Sequence, residues 1–269
     1  MLRFTTPGVM GILNVTPDSF ADGGRWATVD AAIDHGREML AQGASIIDVG
    51  GESTRPGAHG VEPAEELRRV IPVITELARH GAVSIDTRHL PVAEAAVEAG
   101  AVLINDVSAT LWPVAASASV SWVAMHTPAP GGSLTEMHAT TRFGKPVDEV
   151  LEFVVELAER ALAAGVADVF IDPGLGFGKD TATNVALVAG LARFTATGFP
   201  VLVGASRKRF VGVMAGGDTP NDRLDASLAI ATWAFAQGVA LVRAHDVAAS
   251  VAARRLVLEQ VDRVGEQAA

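Results

Sequence analysis

Eight short runs rich in Val and Ile recur along the chain, separated by segments of helical period. The runs are VMGILNV (9–15), SIIDVGG (45–51), VSIDT (83–87), VLINDVS (102–108), WVAMH (122–126), VFIDPG (169–174), VLVGAS (201–206) and ALVRAHD (240–246). Near-continuous apolar strands with helices between them are the mark of a parallel sheet covered on both faces. In the first intervening segment Val29, Ala32, Ile33, Gly36, Met39 and Leu40 fall at i, i+3, i+4 spacing. Asp30, Asp34, Arg37 and Glu38 take the opposite face, and Thr28 is placed to cap the helix. Residues 63–79 open with Pro63, Glu65 and Glu66, which suit the positive end of a helix. Further helices are predicted over 90–99, 146–164, 181–195, 221–236 and 247–261, with an Ala/Ser-rich crossover at 109–120. Eight strand–helix units in 269 residues predict a (β/α)8 TIM barrel, with 1–269 forming a single domain. No GxGxxG follows the first strand, which argues against a doubly wound dinucleotide-binding sheet.

Composition narrows the chemistry. With 49% hydrophobic and 19% charged residues the chain has the makings of a packed core. The uncharged stretch 226–242 is interrupted by Gly238 and short for a bilayer span, so it reads as a buried helix followed by a buried strand. The absence of cysteine excludes disulfides, thiolate catalysis and Cys-based zinc sites, and fits a reducing cytoplasm. The N-terminal residues lack the apolar core of a signal peptide. A net charge of −10 without a basic, aromatic-interleaved stripe excludes a nucleic-acid-coating surface.

In a barrel the active site forms where the strands end. The strand-end residues are Asn14, Asp48, Asp86, Asn105 with Asp106, His126, Asp172, Ser206 with Lys208, and Arg243 with His245. One such polar residue is ordinarily a cap or a loop-fixing group; polar residues at the same end of all eight strands converge on one rim. Asp86, Asn105 and Asp172 suit a planar heterocycle that presents N–H donors. Ser206, Lys208, Arg243, His245 and Arg55 are cations or donors and suit anions. The basic tip at Arg207, Lys208 and Arg209 therefore reads as a local anion trap in an acidic protein. Two Gly/Pro-rich loops, 14–26 and 51–60, read as lids, the first carrying Phe20 and Trp26. Asp48 and Glu52 are expected to order the second loop, and the 62–69 run to form a solvated helix face. His35, His80 and His89 have no matching partner in the pattern.

The strings MGILNVTPDSFADGG, DVGGESTRPGA, SIDT, INDVS, MH, IDPGLGFGK, GASRKRF and VRAHD, in this order across nearly the whole chain, closely resemble the dihydropteroate synthase family. That resemblance implies a TIM barrel joining 6-hydroxymethyl-7,8-dihydropterin pyrophosphate to p-aminobenzoate, with 7,8-dihydropteroate and pyrophosphate as products. By resemblance the pterin site is Asp86, Asn105, Met125, Asp172 and Lys208. The p-aminobenzoate site is Phe20, Thr54, Arg55, Pro56, Phe177 and Ser206, and the pyrophosphate site is Asn14, Arg243 and His245. Asn14 also carries Mg2+, Asp22 and Arg55 hold the closed lids, and the chemistry falls to Lys208, Arg243, His245 and Asp86. The family also implies a homodimer through the C-terminal helices, small-molecule substrates, and neither a nucleic-acid nor a membrane partner.

Two departures stand out: Ala109 where the family usually has Gly, expected to cost little, and Thr127–Gly132 after the MH pair, expected to alter the fifth loop near the pterin. A pterin-binding paralogue without synthase activity is the alternative reading. Retention of Thr54, Arg55, Pro56, Ser206 and Lys208 together favours the synthase. Pterin-binding methyltransferases lack the SRK tip and the TRPG loop that this chain keeps.

Overall fold

The computed structural model describes residues 6–16, 29–216 and 222–268. Phe20, Asp22, Trp26 and Thr28 lie outside the described residues. Eight strands, β1 (Gly8–Asn14), β2 (Ile46–Gly50), β3 (Val83–Asp86), β4 (Leu103–Asp106), β5 (Ser121–Met125), β6 (Val169–Asp172), β7 (Leu202–Val203) and β8 (Leu241–Ala244), pair in parallel in one sheet. The order is β6-β5-β4-β3-β2-β1-β8-β7, and a parallel bridge from Ile171 to Val201 joins the two ends. The predicted (β/α)8 barrel is the observed architecture.

Helices cover the outside: α1 (Val29–Ala41), α2 (Pro63–Leu77), α3 (Leu90–Glu98), α4 (Trp112–Ala118), α5 (Leu134–Met137) and α6 (Pro146–Ala163). Then follow α7 (Thr181–Ala189), α8 (Leu191–Thr195), α9 (Arg209–Ala215), α10 (Asp222–Ala236) and α11 (Val247–Ala268). The apolar face predicted for α1 is the one that packs, with Ala32, Gly36 and Met39 buried. The single helix expected over 181–195 breaks at Gly190, whose helix propensity is poor. Helices α5 and α9 lie in segments for which the sequence pattern predicts no helix. The 62–69 run is solvated as expected except at Glu66, which is fully buried on α2. Burial pushes the Glu66 carboxyl up to about 7.

Strand alternation produces two separate cores. Val9, Leu13, Ile47, Val49, Ile85, Ile104 and Ile171 face the helices. Met10, Ile46, Leu103, Val123, Phe170, Leu202 and Leu241 fill the barrel interior. Two residues further along the same inward face, Ile46 is followed by Asp48, Ser84 by Asp86, Leu103 by Asn105, Phe170 by Asp172 and Leu241 by Arg243. On β2, β4, β6 and β8 the inward face thus changes from apolar to polar near the C-terminal end, on β3 it is polar at both positions, and these polar ends share one layer.

Asp106 is adjacent to Asn105 and so takes the other direction. Its carboxylate accepts from Ser108 N and Oγ, Thr110 N, Leu111 N and Trp122 Nε1, and so builds the loop after β4 instead of facing the mouth. Within that loop Ala109 has φ of 60°, a conformation that favours glycine. The departure from Gly therefore carries strain. Ala109→Gly is expected to raise stability by ~0.5–1 kcal/mol, the strain relieved less the added unfolded-state entropy. Denaturant titration measures this; an unchanged or lowered midpoint would contradict it.

Candidate functional site

At the C-terminal end of the barrel lies a cavity of about 800 Å³. Its wall includes Asn14, Thr54, Arg55, Pro56, Asp86, Phe177, Ser206, Lys208, Arg243 and His245, so residues from six separated stretches of sequence meet in one space.

The floor is a buried acid–base network. Arg243 donates from Nε to Asp48 Oδ2 at 2.6 Å and from Nη2 to Asp86 Oδ2 at 2.6 Å. Asn105 Nδ2 donates to the same Asp48 oxygen at 2.8 Å. Asp48, expected to order the second loop, instead orients Arg243 and Asn105. Glu52 does hold the second loop, accepting from Val61 N at 2.7 Å and from Arg88 Nε at 2.7 Å. Burial opposes the charge on Arg243, but Asp48 and Asp86 outweigh it and hold its pKa above the ordinary value. Burial lifts the Asp86 carboxyl to about 7 against the pull of Arg243. The two directions compete for one proton, and the 2.6 Å contact favours a carboxylate for as long as Arg243 faces it. Asp86 Oδ1 is buried with no hydrogen-bond partner among the described residues. A buried acceptor left in this state is costly unless a donor is supplied to it.

Beside this pair, Asp172 Oδ1 accepts from Gly174 N at 2.7 Å, its pKa raised by burial and drawn down by Lys208. Lys208 Nζ donates to Leu175 O at 2.5 Å and lies 4.8 Å from the Phe177 ring centroid. Burial lowers its pKa to about 8. The cavity is lined by Asp86 and Lys208, while Asn105, Met125 and Asp172 are buried and not part of its lining. Met125 belongs to the interior apolar cluster.

The basic tip divides into separate tasks. Arg207, at φ 58°, pairs with Asp246 at 2.6 Å, so its charge is spent on the loop. That turn leaves Ser206 and Lys208 in the cavity wall, with Arg209 exposed at its edge. The anion trap is narrower than the sequence suggests. Ser206 Oγ lies 3.0 Å from His245 Nδ1, and burial followed by Arg243, Arg207, Arg55 and Lys208 pushes the imidazole down to about 3. His245 is therefore a neutral ring and not one of the cations. If Ser206 donates to Nδ1, the remaining N–H of that ring is available as a donor.

Lys179, quoted in the GLGFGK string without a role, is buried at the edge of the cavity. It reaches His126 Nδ1 at 2.9 Å, Gly174 O at 2.8 Å and Phe177 O at 3.0 Å, and so fixes the loop that carries Phe177. Burial lowers its pKa to about 7, and burial together with Lys179 lowers that of His126 to about 3. At Gly174 φ is 63° and a Cβ would sit 2.0 Å from His126 O, so only glycine permits this approach. A lysine closing a Gly-rich strand-end loop was the one available signal. NMR titration should find both His126 and His245 neutral from about pH 5 to 8; a midpoint inside that range would overturn the charge assignment.

Asn14 offers a metal one neutral oxygen, and among the described residues no group of three His, Cys, Asp or Glu could hold an ion. Such a donor set does not build a resident divalent-cation site; it fits an ion arriving with further oxygens of its own. No described helix is long and apolar enough to cross a membrane.

The family described as pterin binding enzyme matches residues 10–245. Dihydropteroate synthase of Mycobacterium leprae is 45% identical over 262 residues, covering 93% of this chain and 92% of that one. The Xanthomonas albilineans dihydropteroate synthase structure with 4-aminobenzoic acid has a TM-score of 0.87 at 45% identity, covering 96% of this chain and 94% of that one. The same enzyme in complex with 7,8-dihydropteroate gives 0.84 at 43% identity, with coverage of 97% and 95%.

Proposed function

The chain belongs to the dihydropteroate synthases of the pterin-binding enzyme family, and from this we propose how its barrel mouth condenses 6-hydroxymethyl-7,8-dihydropterin pyrophosphate with p-aminobenzoate. The observation that carries the assignment of subsites is the meeting of an acceptor floor and a donor rim in one cavity. Asp86 presents an unpartnered buried oxygen, with Asp172 and Asn105 behind it, while Arg243, Lys208, Ser206 and His245 supply donors beside it.

The pterin's N–H edge takes the Asp86 side. Its arrival competes with Arg243 for the same carboxylate and turns the guanidinium toward the pyrophosphate attached to the pterin methylene. The methylene C–O bond breaks, and its electron pair leaves with pyrophosphate. Arg243 and the neutral His245 N–H stabilise that growing charge, in a site where fixed donors act strongly. The floor carboxylates favour the positive charge left on the pterin. The lone pair of the p-aminobenzoate amine then forms the C–N bond to the methylene, and the nitrogen gives its proton to water. An aromatic amine is already neutral, so no strong base is required. Thr54, Arg55, Pro56, Phe177 and Ser206 line the same cavity and form the arylamine side, which a pterin-binding paralogue would have no need to keep.

Mg2+ bound through pyrophosphate oxygens and Asn14 would supply further charge neutralisation to the leaving group. The lid roles of Phe20 and Asp22, the homodimer through the C-terminal helices, the single domain and the cytoplasmic location rest on the family resemblance. Purified protein given both substrates and Mg2+ should release pyrophosphate and dihydropteroate in equal amounts; pterin binding without product would leave the paralogue reading.

Asp86→Asn is expected to weaken pterin binding by ~10²–10⁴-fold, since the amide presents a donor to the pterin's donors. Calorimetry with a pterin ligand checks it, and equal affinity would reassign the floor. Mg2+ alone should bind the protein only weakly, with an affinity in the millimolar range or worse, because one neutral ligand leaves the ion its waters. Tight calorimetric binding without pyrophosphate would contradict this.

A further inference from the structure

The fifth loop, between β5 and α6, is tied to both neighbouring loops. Gly131 N donates to Ser108 O at 2.9 Å and Thr141 N donates to Gly178 O at 2.8 Å. A Cβ at Gly178 would lie 2.3 Å from Pro128 Cγ and 2.6 Å from Ala139 O, so the fifth and sixth loops pack backbone to backbone. Within the loop Ser133 and Glu136 form a capping box that nucleates α5. Leu134 and Met137 from that turn join the apolar cluster of the barrel interior, alongside Phe177. Burying this face places the next residue, His138, on the cavity wall.

His138 makes two contacts across the mouth. Its Nε2 lies 2.7 Å from Thr54 O. A carbonyl oxygen only accepts, so Nε2 carries the proton. The ring stacks on Phe177, with centroids 5.1 Å apart and planes 14° from parallel. Both partners stand in the cavity wall, one from the loop after β2 and the other from the loop after β6.

We infer that His138 is a positioning residue for the arylamine: one imidazole bonded to Thr54 O and stacked on Phe177 holds apart the two walls between which a flat aromatic ring slides. This rests on the synthase reading of the cavity and deepens it. The fifth loop thereby bears on the second substrate through His138, whose two contacts are to Thr54 and Phe177 and not to Asp86, Asn105 or Asp172.

The test compares wild type with His138→Phe, which keeps the stack, His138→Gln, which keeps a donor, and His138→Ala, which keeps neither. The readout is KM for p-aminobenzoate and for pterin pyrophosphate, with kcat. Loss of one hydrogen bond and one ring pair should raise KM for p-aminobenzoate about tenfold in the Ala variant, with each conservative variant recovering part of it. KM for the pterin and kcat should stay within about twofold, the pattern of lost uniform binding. Wild-type KM in all three variants, a parallel rise for both substrates, or a fall in kcat alone would overturn the inference. Absence of turnover by wild type would instead overturn the synthase reading, and the inference with it.

Discussion

The contact between Arg243 and the two carboxylates of Asp48 and Asp86, each at 2.6 Å, is the interaction on which the mouth of this barrel depends. Taking carboxylates out of water costs several kcal/mol each unless charge and hydrogen bonds compensate. The floor contains three, Asp48, Asp86 and Asp172, and they are matched by three basic groups, Arg243, Lys208 and Lys179. This balance explains why an acidic protein of net charge −10 places Lys208 after β7 and Arg243 on β8. They face buried carboxylates first, and in the proposed reaction they would stabilise an anionic leaving group once a substrate takes over those carboxylates.

The barrel makes that arrangement by parity alone. Because inward positions recur every second residue, a strand that is apolar at Ile46, Leu103, Phe170 or Leu241 delivers Asp48, Asn105, Asp172 or Arg243 to the next inward layer. The apolar layer below is closed, so the polar layer has no route to water except through the cavity. Shifts in pKa follow directly: burial acts on every group of the layer, raising Asp86 and Asp172 and lowering Lys208 and His245. Groups brought toward neutrality can exchange protons or donors with a ligand at little electrostatic cost.

Much of this was legible in the sequence, for stated reasons. All eight strands show as Val/Ile runs because a parallel strand is buried on both faces, and the layer of polar ends shows as their final residues. Adjacent residues such as Asn105 and Asp106 were not separable without knowing which parity faces inward; one orients on Asp48 and the other builds a loop. Asp48 was misplaced for a similar reason, since its partner Arg243 is 195 residues away. Contacts of this kind leave no local trace. The same holds for Lys179 with His126 and for His138 with Thr54, whereas the break at Gly190 and the strain at Ala109 do follow from residue type and local geometry. Phe20 and Asp22 lie outside the described residues, so the first lid is known only through resemblance.

The two subsites also differ in what holds them. The proposed pterin side is built mainly on strand ends, where backbone pairing such as Met125 with Asp172 and Asp86 with Asn105 fixes each residue. The proposed arylamine side is built on loops after β2, β5, β6 and β7, tied down by side-chain contacts such as His138 to Thr54 O, Lys179 to Phe177 O and the Arg207–Asp246 pair. Loop contacts worth about 1 kcal/mol apiece leave those walls easier to shift than the strand-borne floor. On the proposed subsites, sequence change in the fifth loop would therefore bear on the flat second substrate and leave the carboxylate floor as it was.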